Sequence, residues 1–148
     1  MRKIVGIFWG IILLLPINAA GQKSKLYTSL EEALKVPADS VYRLDLSKQK
    51  LDSVPEEIFQ FKNLQELHLE KNRLSNLPEN FYFENLKILN LGKNKFEKFP
   101  EALCKNRSIQ ILHMEKNKLE ELPECIGNMK SLVEMDLWFN PLNGLPDS

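Results

Sequence analysis

One feature constrains this chain more than any other: from Val41 onward it repeats itself. Segments begin at Val41, Leu64, Leu86, Ile109 and Leu132, with spacings of 23, 22, 23 and 23 residues. Segment positions 1, 4 and 6 hold Val41, Leu44 and Leu46; Leu64, Leu67 and Leu69; Leu86, Leu89 and Leu91; Ile109, Leu112 and Met114; Leu132, Met135 and Leu137. Position 11 is Leu51, Leu74, Phe96, Leu119 and Leu142, and position 14 is Val54, Leu77, Phe99, Leu122 and Leu145. Position 18 is Ile58, Phe81, Leu103 and Ile126. Every one of these positions is apolar in a chain that is 43% hydrophobic overall, so chance does not account for the pattern. A period of this length means stacked windings, because no single segment buries its own wedge of leucines.

The spacing within a segment dictates local structure. Alternating apolar residues at positions 4 and 6 make a short strand with one buried face. Strands of successive windings pair in parallel, about 4.8 Å apart. Position 9 carries Gln49, Asn72, Asn94, Asn117 and Asn140, an amide ladder that satisfies backbone groups where the chain leaves the strand. Position 15 is always proline (Pro55, Pro78, Pro100, Pro123, Pro146), which fixes φ and starts an extended or tight-helical return.

Stretches such as "LQELHLEKNRLSNLP" and "IQILHMEKNKLEELP" resemble the leucine-rich repeat in its short LPxxI form, similar to repeats of the Ras-suppressor type and of many bacterial proteins. The resemblance covers 41–148. It implies an α/β solenoid, an arc with a parallel sheet on its concave face, extended or 3₁₀ convex segments and a short N-terminal cap helix. Five repeats follow: 41–63, 64–85, 86–108, 109–131 and 132–148. The 22-residue repeat lacks one residue between Phe81 and Leu86, where Phe83 is expected to replace the usual apolar residue. Asn106 is polar at the equivalent point of the next repeat, a change that a convex loop tolerates.

Residues 22–40 form a linker and cap. In "YTSLEEALKVPADS", Thr28 or Ser29 is an N-cap, with Glu31 or Glu32 completing a capping box, and Pro37 stops the helix. Residues 1–21 differ in kind. Arg2 and Lys3 precede an apolar run from Ile4 to Leu15, then Pro16, Ala19, Ala20 and Gly21. That is the build of a secretory signal peptide cut before Gln22, and the run is short for a bilayer span. An uncleaved anchor is the rival, and it alone would bring the protein to a membrane. The expected destination is the periplasm, cell surface or medium of a bacterium. At the other end, Met135, Leu137 and Leu142 are left against solvent or a partner: a self-closing end, an end-to-end homodimer and a shortened chain all remain open.

Twenty basic residues balance twenty acidic ones, and removing Arg2 and Lys3 leaves 18 against 20, a charge of −2. A nucleic-acid binder would show a basic excess. Outward strand residues nevertheless form columns. Position 8 reads Lys48, Lys71, Lys93, Lys116 and Phe139; position 10 reads Lys50, Arg73, Lys95, Lys118 and Pro141. These bind an acidic partner or pair locally with Glu70, Glu97, Glu115, Glu120 and Glu121. Ile88 and Ile111 at position 3, with Trp138 and Phe139 at the last strand, are the candidate anchors for a protein partner. The alternatives are an acidic envelope glycan held by the lysines, and a structural piece that needs an end-on partner.

Position 5 reads Asp45, His68, Asn90, His113 and Asp136. His68 and His113 belong with the partner-binding face. They stand two strands apart, about 10 Å, so they do not share one zinc ion, and no metal site is expected. Nor is a catalytic site or cofactor: the chain has no HExxH, GxSxG or GxxxxGK[ST], and "GKNK" at Gly92 is a repeat corner. Cys104 and Cys125, at positions 19 and 17 of neighbouring repeats, read as two separate thiols because of the offset, with a disulfide as the alternative. Asn106-Arg107-Ser108 is a glycosylation sequon, meaningful only in a eukaryotic source.

Overall fold

The computed structural model describes residues 23–144; the expected signal peptide over 1–21, Leu145 and Pro146 fall outside them. Six short strands form one parallel sheet in chain order: β1 (Leu26–Tyr27), β2 (Arg43–Asp45), β3 (Glu66–His68), β4 (Ile88–Asn90), β5 (Ile111–His113) and β6 (Glu134–Asp136). The register matches the repeat spacing: Leu44 stands beside Leu67, Leu67 beside Leu89, Leu89 beside Leu112, and Leu112 beside Met135. All four leucines are fully buried, as are their position 6 neighbours Leu46, Leu69, Leu91 and Met114. The fold is an open solenoid, its core a continuous column of these side chains.

Each winding leaves its strand the same way. The position 8 N–H still reaches the next repeat: Lys48 donates to the Glu70 carbonyl, Lys71 to Gly92, Lys93 to Glu115 and Lys116 to Trp138. The backbone then reverses in the left-handed region, with φ of 54° to 61° at Lys48, Lys71, Lys93, Lys116 and Phe139. From there the asparagines take over. Asn72 accepts from the N–H groups of Gln49 and Leu51 and donates to the carbonyls of Leu46 and Leu69. Asn117 likewise accepts from Phe96 and donates to Leu91 and Met114, joining two windings with one side chain. Gln49 departs from the expected ladder. One methylene longer and exposed, it reaches only the Thr28 carbonyl, at 3.5 Å. The turn beside it carries a second left-handed residue, Lys50.

On the convex side, the position 15 proline carbonyl accepts from the position 18 N–H in four windings: Pro55 from Ile58, Pro78 from Phe81, Pro100 from Leu103 and Pro123 from Ile126. Three of these open 3₁₀ turns, Glu56–Gln60, Glu101–Lys105 and Glu124–Asn128. The short repeat has no room for one. There Phe81 and Phe83 both turn inward, packing against each other and against Phe59 with ring centroids 5.3–6.2 Å apart.

Asn106 is the partner of that deletion, not a tolerated loop change. Its side chain is completely buried at the position that Phe61 and Met129 occupy in other repeats. It accepts from the Phe83 N–H (2.8 Å) and donates to the carbonyls of Phe81 (2.9 Å) and Ala102 (3.0 Å). The amide thus satisfies backbone groups that the missing residue would have folded into a turn. A glycan on Asn106 is incompatible with that burial.

Cys104 and Cys125 are joined in a disulfide, with a Cα separation of 5.8 Å, which corrects the reading as separate thiols. Along extended chain an offset of two residues is about 6.6 Å of travel. In a 3₁₀ turn two residues advance only about 4 Å, and the thiols of adjacent turns come within reach.

The N-terminal cap differs from expectation in one respect: β1 precedes the helix, pairing Leu26 with Arg43 and Tyr27 with Leu44. Two residues without alternation give no strand signal in sequence. Helix α1 (Leu30–Ala33) is capped by Ser29, whose hydroxyl accepts from the Glu32 N–H. The Glu32 carboxylate pairs with Lys25. Tyr27 and Ala33 seal the first winding. At the far end Met135, Leu137 and Leu142 are half-buried, while Val133, Trp138 and Phe139 are exposed.

Candidate functional site: the concave face

Positions 3, 5 and 7 of each winding project from the sheet, and their neighbours are the same positions of the windings before and after. The result is a face divided into zones.

The N-terminal zone is a set of closed ion pairs. Arg43 on β2 forks onto Glu66 on β3 through Nε (2.6 Å) and Nη2 (3.1 Å), and Glu66 also holds His68 Nε2 at 2.7 Å. Arg43, its first partner, holds the Glu66 carboxyl below the ordinary carboxylate range, and His68 adds to this. Glu70 is treated the same way by Lys93 at 2.6 Å, with Lys71 at 3.6 Å. The expected lysine column is therefore not one continuous positive stripe. Lys71 and Lys93 are spent on Glu70, Lys118 meets Glu97, and Lys116 lies over the Phe139 ring, 5.2 Å from its centroid.

The middle zone is apolar. Ile88 and Ile111 are register partners on β4 and β5, each half-buried. Nothing else at position 3 is apolar: the column runs Arg43, Glu66, Ile88, Ile111, Glu134.

The C-terminal zone carries the exposed aromatics, Trp138 at 74% and Phe139 at 72% exposure, their rings 6.2 Å apart. Beside them His113 and Asp136 face each other across β5 and β6, and Glu115 stands two residues beyond His113. One donor atom from each of the three lies within 4.8 Å of the others. His68 and His113 stand two strands apart, as expected; the donors that come together are instead one histidine and two carboxylates. Their signal was present: His113 and Asp136 share position 5 in adjacent repeats, and Glu115 follows at position 7 on the same face. Position 5 has a second task in alternate windings, where Asp45, Asn90 and Asp136 accept from the N–H of Ser47, Gly92 and Trp138 and fix the end of the strand.

These observations meet the comparisons with known proteins. A leucine-rich-repeat family model matches residues 62–119. A solved leucine-rich-repeat protein of Leptospira interrogans superposes with a TM-score of 0.68 and 34% identity, over 82% of this chain. The chain is a leucine-rich-repeat protein. It spans 37% of the length of that Leptospira protein, and no curated protein matches it in sequence. Leucine-rich-repeat domains commonly serve as protein-interaction modules and are typically non-catalytic; the scaffold does not choose the ligand. Among the described residues, no helix is long and apolar enough to cross a membrane.

Proposed function

We propose that this leucine-rich-repeat protein is an exported, non-catalytic binding module that takes a protein partner across its concave face. The observation that carries the reading is two apolar features of the C-terminal half, the half-buried Ile88–Ile111 pair and the exposed Trp138 and Phe139. Large aromatics left at more than two-thirds exposure, together with a half-buried aliphatic pair, offer burial that the free protein does not use. The ion pairs around Glu66 and Glu70 fix the N-terminal zone as a rigid polar flank, suited to orienting a partner rather than holding it. Export is supported by the Cys104–Cys125 disulfide, a bond that persists in oxidising compartments, together with the signal-like residues 1–21.

Capture from the native cell envelope with the chain starting at Gln22 tests the reading. Trp138→Ala and the double variant Ile88→Ser/Ile111→Ser are expected to lose the captured protein while keeping the melting temperature within a few degrees. Capture that survives both, with no change in oligomeric state, refutes the proposed anchors. Capture of a glycan instead, abolished by moderate salt and by reversing Lys48 and Lys116, assigns the face to an acidic polymer. Recovery of the chain from the cytoplasm with residues 1–21 still attached and the cysteines reduced refutes export.

A further inference from the structure

We propose that His113, Glu115 and Asp136 bind one divalent transition-metal ion, with Zn²⁺ the best match to the donor set. This inference does not depend on what protein occupies the concave face.

The first argument is unsatisfied charge. Two half-buried glutamates on the face have cations: Glu66 has Arg43, and Glu70 has Lys93 and Lys71. Glu115 and Asp136 form no ion pair of this kind among the described residues. Glu115 Oε2 is sealed from solvent and makes no hydrogen bond, while its carboxylate shares the space with a second acid. A buried carboxylate oxygen without a donor loses its hydration and receives nothing in exchange. The cations close by are engaged elsewhere. Lys93 attracts Glu115 but is bonded to Glu70, and Lys116 is turned over Phe139.

The second argument is shape. Position 7 reads Ser47, Glu70, Gly92, Glu115 and Trp138, so Gly92 lies directly beneath the strand that carries Glu115. Gly92 is buried, its φ is not positive, and its backbone therefore does not require glycine. A Cβ on Gly92 would collide with the Glu115 carboxylate. The glycine makes the cradle in which that carboxylate sits.

The third argument is donor chemistry and orientation. One imidazole nitrogen and two carboxylate oxygens are three protein ligands for a tetrahedral ion whose fourth position stays open. Donors spaced within 4.8 Å contract to the roughly 3.4 Å separation of a tetrahedral site with 2.1 Å bonds by small side-chain rotations. Asp136 Oδ1 is already held by the Trp138 N–H at 3.0 Å, which orients the carboxylate and leaves Oδ2 for the ion. The three residues are half-buried on an open face, so the ion has a route in.

Calorimetric titration of the untagged chain with ZnCl₂, and Mn²⁺ titration followed by water-proton relaxation, test the site. One Zn²⁺ per chain is expected, with a rise in melting temperature. Asp136→Asn, Glu115→Gln and His113→Ala should each weaken binding at least tenfold, and Gly92→Ala should weaken it by displacing Glu115. His68→Ala, which removes the other histidine, should leave affinity unchanged. Each variant's metal-free melting curve reports folding separately. Absence of binding by both ions overturns the proposal, as does affinity that survives Asp136→Asn and Glu115→Gln or that falls with His68→Ala.

Discussion

Asn106→Leu separates two ways of thinking about this chain. By repeat logic, a leucine belongs there, because the aligned residues are Phe61 and Met129 and both are buried. By hydrogen-bond accounting it does not. The substitution orphans the Phe83 N–H and the Phe81 carbonyl, both in the buried seam between the two windings. Each such loss costs about 1–3 kcal/mol. The Ala102 carbonyl, partly buried, is open to water and costs little. Against these stands the gain from burying a leucine side chain, about 1.5–3 kcal/mol. The net expectation is a destabilisation of about 2 kcal/mol, or a fall in melting temperature of about 8 °C for a domain of this size. Urea unfolding followed by circular dichroism measures it, with an unchanged slope showing that the denatured state is unaffected. Asn106→Leu combined with restoration of the missing residue between Phe81 and Leu86 should recover most of the loss, since a 23-residue winding closes its own turn. A single Asn106→Leu variant as stable as the parent would refute the claim that the amide compensates for the deletion.

Three further outcomes follow from the same geometry. Reducing the Cys104–Cys125 bond, which closes a separation of 21 residues, should lower stability by about 3 kcal/mol in urea titrations with and without reductant; coincident curves would show the link to be energetically idle. Lys71 sits at φ 56°, where a left-handed residue costs roughly 1–2 kcal/mol, so Lys71→Gly should stabilise by up to about 1 kcal/mol after glycine's entropy is subtracted, whereas Lys71→Val should destabilise. Glu66 and Glu70 have carboxyls held below the ordinary value of 4.5, first by Arg43 and by Lys93 respectively. Their contribution is present above that value and is lost as pH falls through the lower folded one. Melting temperatures between pH 6 and pH 3 should therefore fall less steeply in Glu66→Gln/Glu70→Gln than in the parent, and an identical acid slope would deny those pairs a role.

The scaffold was legible because its determinants are periodic. Leu67, Leu89 and Leu112 announce their own alignment, and Asn72, Asn94, Asn117 and Asn140 announce the turn. What escaped is what the period does not encode. Strand β1 has two residues and no alternation, so only its partner Arg43–Leu44 defines it. The Cys104–Cys125 geometry depends on the rise per residue of the turn, which spacing alone leaves open. Asn106 looked like a loose convex residue because a deletion is marked in sequence by its own repeat, while its repair lies in the next. Gln49 looked like a ladder member because its amide is right, yet its side chain is one methylene too long and lies in the exposed turn of the first repeat.

On the concave face the unit of chemistry is the neighbouring pair of windings. Strands stand about 4.8 Å apart, so a side chain reaches the next winding readily and the one beyond it poorly. The ion pairs across the sheet obey this: Arg43 with Glu66, Glu70 with Lys93. Where a row and its neighbour carry opposite charges, as in the first half, the face closes on itself and becomes rigid. Where they carry acid beside imidazole, as in the windings of β5 and β6, and acid beside glycine, as in those of β4 and β5, the face is left with unused valence. The apolar pair Ile88 and Ile111 marks the boundary between these regimes. A partner that buries the pair and the aromatics would approach from the side where the protein's own interactions are incomplete. Substitutions in the first half should then alter stability and acid sensitivity with little effect on binding, while those from Ile88 onward should do the reverse.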